Sequence, residues 1–533
     1  MSVREKLDDL VHSLGVISRS GLIDIRRPYE IVRARKAMNT YGPLAGPAAV
    51  AALKSPSAIG LVDELGPLTF GQLDRRANAL GRAWLRRGLG EDAVIGLLAR
   101  DHRGAVSTMI AAGKLGATLV PLNTGIGTRE LADVVKREGV TFLVHDEEFT
   151  GVVADLPSMP TCLAWTEEEP EEKDTIEKFI LGSTSDEPLP VPRRPGRLIL
   201  LTSGTGGTPK GAERGIAKPL AVAQFLDRIP LRAGETTVIA APLFHGTGLS
   251  QFIMSFALGN AVVVLRRFAP EMILSAVEQH RATALVVVPT MLQRLVNLGK
   301  LGHDTSSLRI ILVAGAALSP DLGTRALDLF GEVVHNMYGG TEVSVVTVAT
   351  PQDLRAAPGT VGRPPVGCHI ALLDETGRHV SRPGVQGRVF VRSDLTFHGY
   401  TDGNSTTTIN GMVFTGDVGH LDNDGRLFID GRDDDMIISG GENVYPVEVE
   451  NALADHPDVA DAAVVGVDDD EFGQRLKGYV VPVPGANITA KTLEEFIRTT
   501  LARHKVPREI VIVDELPRNP TGKILRRSLS DLG

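Results

Sequence analysis

Apolar residues recur along this chain in two alternating textures: short aliphatic runs, and longer stretches with helical spacing. The stretch LTFGQLDRRANALGRAWLRRG places Leu73, Ala77, Leu80 and Trp84 at helical spacing, because residues three and four apart stack along one face. The aliphatic AVIGLLA follows and, past a second helical stretch, GATLVPL; comparable runs lie at Ala261 to Leu265, Ala284 to Val288 and Ile310 to Val313. Helices alternating with short aliphatic runs predict an α/β fold with a substantially parallel sheet. Between Thr166 and Asp174 the run TEEEPEEKD is charged and interrupted by proline, which predicts a solvated linker between two subdomains.

Around Gly431 the texture changes. GRDDDMIISGGENVYPVEVENAL passes from charge through a short apolar run to a glycine pair, then to Pro446 at an expected helix start. A domain boundary is expected there, dividing residues 1–430 from 431–533. The last hundred residues alternate again, with aliphatic stretches at Ala462 to Val467 and Ile510 to Val513. Between them Thr492 and Glu495 read as a capping box opening a helix with Leu493, Phe496, Ile497 and Leu501 on one face. The expectation is a small α+β domain behind a large α/β body, in keeping with 533 residues and 56.9 kDa, too long a chain for one core.

Composition narrows the partners. Hydrophobic residues make up 43% and charged residues 23%, which excludes a disordered or fibrous chain. The net charge of −9, without a long basic block, argues against nucleic acid. Cys162 and Cys368 stand far apart without C-x-x-C spacing, so neither a disulfide framework nor a cysteine zinc site is expected. The polar start MSVREKLDDLVHSLG and the lack of any run near the ~20 apolar residues of a membrane span point to the cytoplasm. In SRSGLIDIRRPYEIVRARKAM, Arg19, Arg26, Arg27, Arg33, Arg35 and Lys36 interleave with Leu22, Ile23, Ile25, Ile31 and Val32. Two readings stand: a solvated basic face packed on the body, which is the commoner arrangement, and a peripheral contact with an anionic membrane.

Residues 198–212 read LILLTSGTGGTPKGA, an apolar run followed by a loop of Gly, Ser and Thr that ends on Lys210. Glycines let backbone N–H groups converge on an anion, and the hydroxyls of Thr202, Ser203 and Thr205 and the Lys210 charge add to that, so the loop suits phosphate, the alternative for the loop taken alone being an ordinary Gly/Ser/Thr surface loop. It is not a P-loop, because Lys210 follows Pro209 and precedes Gly211, and it is not a dinucleotide fingerprint, because Pro209 stands where the third glycine belongs.

Further stretches follow in order: PLFHGTGL with His245, VAGAALS with Gly315, Ala316 and Ala317, NMYGGTE with Tyr338, Thr341 and Glu342, VFTGD with Asp417, GRDDD with Arg432 and Asp434, and PRNPTGKILRR with Lys523. In this set and order, over nearly the whole chain, the sequence resembles the adenylate-forming superfamily of acyl-CoA synthetases, peptide-synthetase adenylation domains and luciferases. The resemblance implies that the loop of Thr202, Ser203, Gly204, Thr205, Gly206, Gly207 and Lys210 covers the β- and γ-phosphates of ATP. It implies that Tyr338 packs on adenine, Gly315 to Ala317 leave room for the base, Thr341 bonds the α-phosphate, Glu342 ligates Mg²⁺ and Asp417 accepts the ribose hydroxyls beside Arg432. Lys523 would bridge substrate carboxylate and nucleotide, and His245 would border the acyl pocket. A carboxylate is already ionised near neutral pH, so its attack on the α-phosphate needs positioning and charge neutralisation rather than a general base. The chain departs from the pattern at Gly206, where a threonine is usual, and at Arg388, where a glutamate is usual.

By the same resemblance the small domain turns about Asp434, and Gly440, Gly441, Glu442 and Asn443 then line the thiol entry. The form S-G-G-E-N favours CoA over a carrier protein. The pocket stretch Gly246, Thr247, Gly248, Leu249 lacks the aspartate that amino-acid-activating domains supply, and small residues there and at Gly339 are expected to leave room for an apolar chain. The expected activity is a fatty acid:CoA ligase acting through acyl-AMP with ATP, Mg²⁺ and CoA, its partners being small molecules. A fatty acyl-AMP ligase serving a carrier protein, an aryl acid:CoA ligase and a non-catalytic relative are the alternatives.

Overall fold

The computed structural model describes residues 3–23, 27–156, 159–168, 172–202, 210–214, 220–299, 302–396, 399–401, 406–439, 442–469, 473–502, 505–519 and 522–532. Among these residues the strands form four sheets. The first runs in the order Ser344–Ala349, Val334–Gly340, Ile310–Ala314, Ala284–Val287, Thr236–Ile239, Ala261–Val264, Ile59–Asp63 and Gly66–Thr69, parallel except at its two edges. The second is built from Thr161–Trp165, Phe142–Asp146, Val94–Leu98, Thr118–Pro121, Arg197–Thr202 and Lys210–Arg214, with only its last strand antiparallel. The aliphatic runs become these strands because β-branched and leucine side chains are buried on both faces, as parallel sheets covered by helices require.

One hydrophobic core joins the two parallel sheets, filled by the helices Pro28–Lys54, Phe70–Arg86, Arg103–Leu115 and Gly246–Ala257. The second of these contains the expected face of Leu73, Ala77, Leu80 and Trp84. Thr69 caps it by accepting from Gln72 N at 3.2 Å, while Gln72 Oε1 accepts from Thr69 N at 2.8 Å, satisfying two otherwise orphaned amides. Its buried face holds Leu73, Ala77, Leu80 and Trp84.

The charged run from Thr166 to Asp174 is not a linker between sheets. The strands before and after it, Thr161–Trp165 and Arg197–Thr202, belong to the same six-stranded sheet. Leu163 N donates to Asp174 O at 3.0 Å, which ties the far end of the run back to that sheet. The chain crosses between the two mostly parallel sheets elsewhere, first between Gly66–Thr69 and Val94–Leu98 and again between Lys210–Arg214 and Thr236–Ile239. Of the basic N-terminal segment, Leu22 and Ile23 pack on the core and Tyr29, Val32, Arg33, Arg35 and Lys36 are exposed; Ile25 and Arg26 lie outside the described residues. No helix among the described residues is long and apolar enough to cross a membrane, and Cys162 and Cys368 are buried and form no disulfide.

The third sheet is antiparallel, formed by His369–Leu373, Gly387–Arg392, Met412–Leu421, Thr408–Ile409 and Leu427–Arg432. Four residues after Arg432 separate it from the fourth sheet, which comprises Ile437–Ser439, Glu442–Val444, Val459–Asp469, Gly473–Pro482 and Glu509–Ile512. The helix Pro446–Ala454 starts at Pro446 as the sequence suggested. The other helix of this unit, Ala490–Thr500, starts earlier than the expected box at Thr492 and Glu495. Thr489 is the cap, accepting from Thr492 N at 3.2 Å, and Thr492 Oγ1 accepts from Thr489 N at 3.1 Å. An acceptor on Thr492 serves that return bond as glutamate would, so the box closes one turn upstream. Leu493 and Ile497 of this helix lie fully inside the small unit's own core. Leu493→Ala is expected to cost about 2–5 kcal/mol of stability, read as an early unfolding transition of the C-terminal unit in chemical denaturation.

Candidate active site

Parallel strands of the eight-stranded sheet end together at one edge, and the residues that follow them are those the motifs contain. After Thr236–Ile239 the chain runs through His245 into the helix Gly246–Ala257. After Ala284–Val287 it passes Val288 into the helix Pro289–Leu298, and after Ile310–Ala314 come Gly315, Ala316 and Ala317. Val334–Gly340 carries Tyr338 and delivers Thr341 and Glu342. These are carboxyl ends of parallel strands, the edge at which open α/β sheets gather ligands. Gly315 has φ 94°, a conformation suited to glycine. A Cβ at Gly315 would lie 3.5 Å from Thr247 Oγ1 and Val288 Cγ1 and 3.8 Å from His245 Cε1, so three loops surround one point.

Thr341 and Glu342 occupy the tip of the hairpin between Val334–Gly340 and Ser344–Ala349, with Gly340 opposite Ser344. Gly339 serves that hairpin and not an acyl chain: a Cβ there would lie 1.8 Å from Ser344 O. Gly248 is likewise needed by the backbone, since a Cβ would lie 2.3 Å from the carbonyl oxygens of both Ala241 and Pro242. The expected pocket room at these two positions is thus corrected to close main-chain packing. At Gly246 a Cβ would stand in open space.

Thr202 pairs with Lys210 across the antiparallel strands Arg197–Thr202 and Lys210–Arg214, at the base of the glycine loop. Ser203, Gly204, Thr205, Gly206 and Gly207 lie outside the described residues. Lys210 Nζ lies 5.3 Å from the ring centroid of Tyr400, and the Tyr400 hydroxyl donates to Glu342 Oε1 at 2.7 Å. The segment bearing Tyr400 is fixed to the same strand, because Thr401 N donates to Gly211 O at 2.8 Å. Tyr400 thus joins Lys210 to the Glu342 hairpin. Sequence reasoning passed over it, although it closes the stretch GVQGRVFVRSDLTFHGY that contains Arg388. Glu342 fits the expected Mg²⁺. The described residues hold no group of three or more His, Cys, Asp or Glu able to bind a metal together, and Mg²⁺ commonly takes one or two carboxylates and completes its shell with waters and substrate phosphates.

Asp417, buried in the strand Met412–Leu421, faces Tyr338 across the gap between the first and third sheets. The Tyr338 hydroxyl donates to Asp417 Oδ2, and Arg432 Nη1 lies 3.4 Å from Asp417 Oδ1. Burial raises the Asp417 carboxyl, an effect that the tyrosine hydrogen bond and the Arg432 charge oppose. Burial, and then the Asp417 charge, hold the Tyr338 phenol well above its ordinary range, so it stays protonated and donates. Gly416 makes the arrangement fit: at φ 85° it stands where a Cβ would lie 2.8 Å from Arg432 Nη2. Arg432 Nε also donates to Asp434 Oδ1 at 3.1 Å.

His245 is half-buried. Its Nδ1 is buried without a hydrogen-bond partner, and burial lowers its pKa, so the imidazole is neutral near pH 7. Its loop hangs on a residue that sequence reasoning missed: buried Asp101 accepts from Leu243 N at 3.1 and 3.2 Å, and burial pushes its carboxyl up to about 7. Nothing in the local sequence marks this contact, which joins residues 142 positions apart.

Lys523 sits on a turn closed by Asn519 N to Lys523 O and Gly522 N to Asn519 O, at 2.9 and 2.8 Å. A Cβ on Gly522 would lie 2.3 Å from Thr290 Oγ1, so the turn abuts the large body next to the loop that contains Val288. Glu442 lies opposite Ser439 in the hairpin of Ile437–Ser439 and Glu442–Val444; Gly440 and Gly441 lie outside the described residues.

Comparison with known proteins shows the family. The family model of AMP-binding enzymes matches residues 49–401, and that of the AMP-binding enzyme C-terminal domain matches residues 448–523. The fatty acid–[acyl-carrier-protein] ligase ScoC of Streptomyces coeruleorubidus is 31% identical over 493 residues, covering 89% of this chain and 93% of that protein. The feruloyl-CoA synthase of an Amycolatopsis species is 34% identical over 482 residues, covering 89% and 95%. Among solved structures, o-succinylbenzoate coenzyme A synthetase (MenE) of Bacillus subtilis with ATP and magnesium ion superposes with a TM-score of 0.80 at 27% identity, covering 91% of this chain and 99% of that one. By its two matched domains, its fold and the placement of its motifs, the chain belongs to the AMP-binding, adenylate-forming enzymes.

Proposed function

We propose that the protein is an AMP-forming acid–thiol ligase that activates a fatty acid as acyl-AMP, releasing pyrophosphate, and then transfers the acyl group to CoA. The observation that carries this reading is the convergence on one sheet edge of Lys210, Tyr400 and Glu342 on one side and Tyr338, Asp417 and Arg432 on the other. The first group supplies positive charge and a metal ligand where phosphates need neutralising. The second presents a buried, already oriented acceptor where a ribose needs hydrogen bonds. Mg²⁺, held by Glu342, would screen the phosphate charge. Thr202, the glycine loop and Lys210 would cover the departing phosphates, Thr341 the α-phosphate, Tyr338 and Gly315 to Ala317 the base, and His245 with Gly246 the acyl side.

The bodies that carry out the two steps are residues 1–430 and 431–533, with the pivot at exposed Asp434. The turn bearing Lys523 lies against Thr290 in this arrangement, which supports a role for Lys523 in the adenylating step. Gly440, Gly441 and Glu442 would serve the thiol after the small unit turns. Open space at Gly246 and the lack of a carboxylate after His245 support an unsubstituted acyl chain. Two other readings have a specific motive in the relatives: delivery to a carrier protein, as ScoC is named for, and an aryl acid, as the feruloyl-CoA synthase is named for.

Two measurements test this. Lys523→Ala is expected to suppress pyrophosphate release by several orders of magnitude while leaving thioester formation from supplied acyl-AMP nearly intact; equal loss in both steps would refute the division of labour. With the unaltered enzyme, ATP, Mg²⁺ and a medium or long fatty acid, little turnover is expected until CoA is added, when acyl-CoA and AMP should form continuously. Discharge by a phosphopantetheinylated carrier protein but not by CoA would make ScoC the better guide, and turnover confined to aryl acids would replace the fatty acid.

A further inference from the structure

Arg388 is the residue whose charge the family pattern does not anticipate, and its surroundings give it a task. It lies in the strand Gly387–Arg392, opposite Val418, the neighbour of Asp417 in sequence. Its Nη2 lies 3.3 Å from Asp433 Oδ2, and its guanidinium carbon stands 4.2 Å from the ring centroid of Phe414. Its Nε is buried with no acceptor. An arginine that served only solubility would extend into water and keep that N–H hydrated. Here the side chain gives up one hydrogen bond and stays folded over an aromatic face, where cation–π attraction and the Asp433 carboxylate hold it.

Asp433 is itself tied to the nucleotide strand, since its N–H donates to Gly416 O at 2.9 Å. The residue before it, Arg432, reaches Asp417, and the residue after it, Asp434, accepts from Arg432. We propose that Arg388 is a positioning residue for nucleotide binding: by pinning Asp433 to the third sheet it fixes the segment that aims Arg432 at Asp417. The inference rests on the reading of Asp417 and Arg432 as the ribose seat. Both members of the ion pair are partly exposed, at 30% and 37% of their side-chain surface, so the effect is a modest one.

The test is the affinity of the whole protein for AMP, measured by titration calorimetry at low salt. Arg388→Glu, which sets two carboxylates against each other, should weaken AMP binding about threefold to tenfold. It should raise KM for ATP in proportion and leave KM for the acid unchanged. The exchanged pair Arg388→Asp with Asp433→Arg should return affinity to within about twofold of the original, which general destabilisation would not do. If Arg388→Glu does not fold, Arg388→Met keeps a stem over Phe414 and should still lose about threefold, the loss shrinking as salt is raised. Unchanged AMP affinity in the single variants, or an exchanged pair no better than Arg388→Glu, overturns the proposal. Arg432→Ala separates the positioning role of Arg388 from the ribose seat. If it weakens AMP binding while the Arg388 variants do not, only the positioning role falls; if it too leaves binding unchanged, the ribose seat has been misread and this role falls with it.

Discussion

The hydrogen bond from Tyr338 to Asp417 is the contact on which the site depends. It spans two sheets of different construction, a mostly parallel one that presents its carboxyl ends and an antiparallel one that contributes a single buried carboxylate. A buried carboxylate without partners is costly to keep. Asp417 is kept by a phenol on one oxygen and a guanidinium near the other. That satisfaction fixes its orientation before any nucleotide arrives, which is what a preorganised acceptor requires. Gly416 and Gly431 show how tightly the surroundings are drawn around it, since a Cβ on either would collide, with Arg432 in one case and with Tyr445 in the other.

A second junction completes the cleft from the opposite side. Tyr400 carries its ring toward the Lys210 ammonium and its hydroxyl to Glu342, so a residue distant from both in sequence links the strand that follows the glycine loop to the Glu342 hairpin. The two tyrosines work alike: each brings an element from outside the central sheet to the tip or edge of that sheet. The loop bearing His245 is built differently: its imidazole is neutral, a Cβ on Gly246 would stand in open space, and Asp101 anchors the loop through Leu243 N.

Much of this was legible in the sequence, for identifiable reasons. Buried parallel strands must be aliphatic, so runs such as ALVVV and IILVA announced themselves, and the face Leu73, Ala77, Leu80 and Trp84 could only be a packed helix. The order of motifs fixed which residues to watch, and the fold brings most of them to one edge. What escaped was long-range or conformational. Asp101 and Tyr400 act through partners far along the chain, which no local pattern reveals. Gly339 and Gly248 were read as absence of volume, whereas their smallness answers to carbonyl oxygens that only the folded backbone brings near. The acidic run after Thr166 had the composition of a linker yet lies inside one sheet's connections, because composition reports solvation and says nothing of which strands a loop joins.

The most direct test is a crystal structure of the protein with AMP. The account predicts both ribose hydroxyls within about 3.2 Å of the Asp417 carboxylate, with the adenine against the Tyr338 ring and the phosphate directed toward Thr341 and Glu342. A nucleotide bound elsewhere, or one whose ribose faces solvent while Asp417 keeps only Tyr338 and Arg432 as partners, would contradict it.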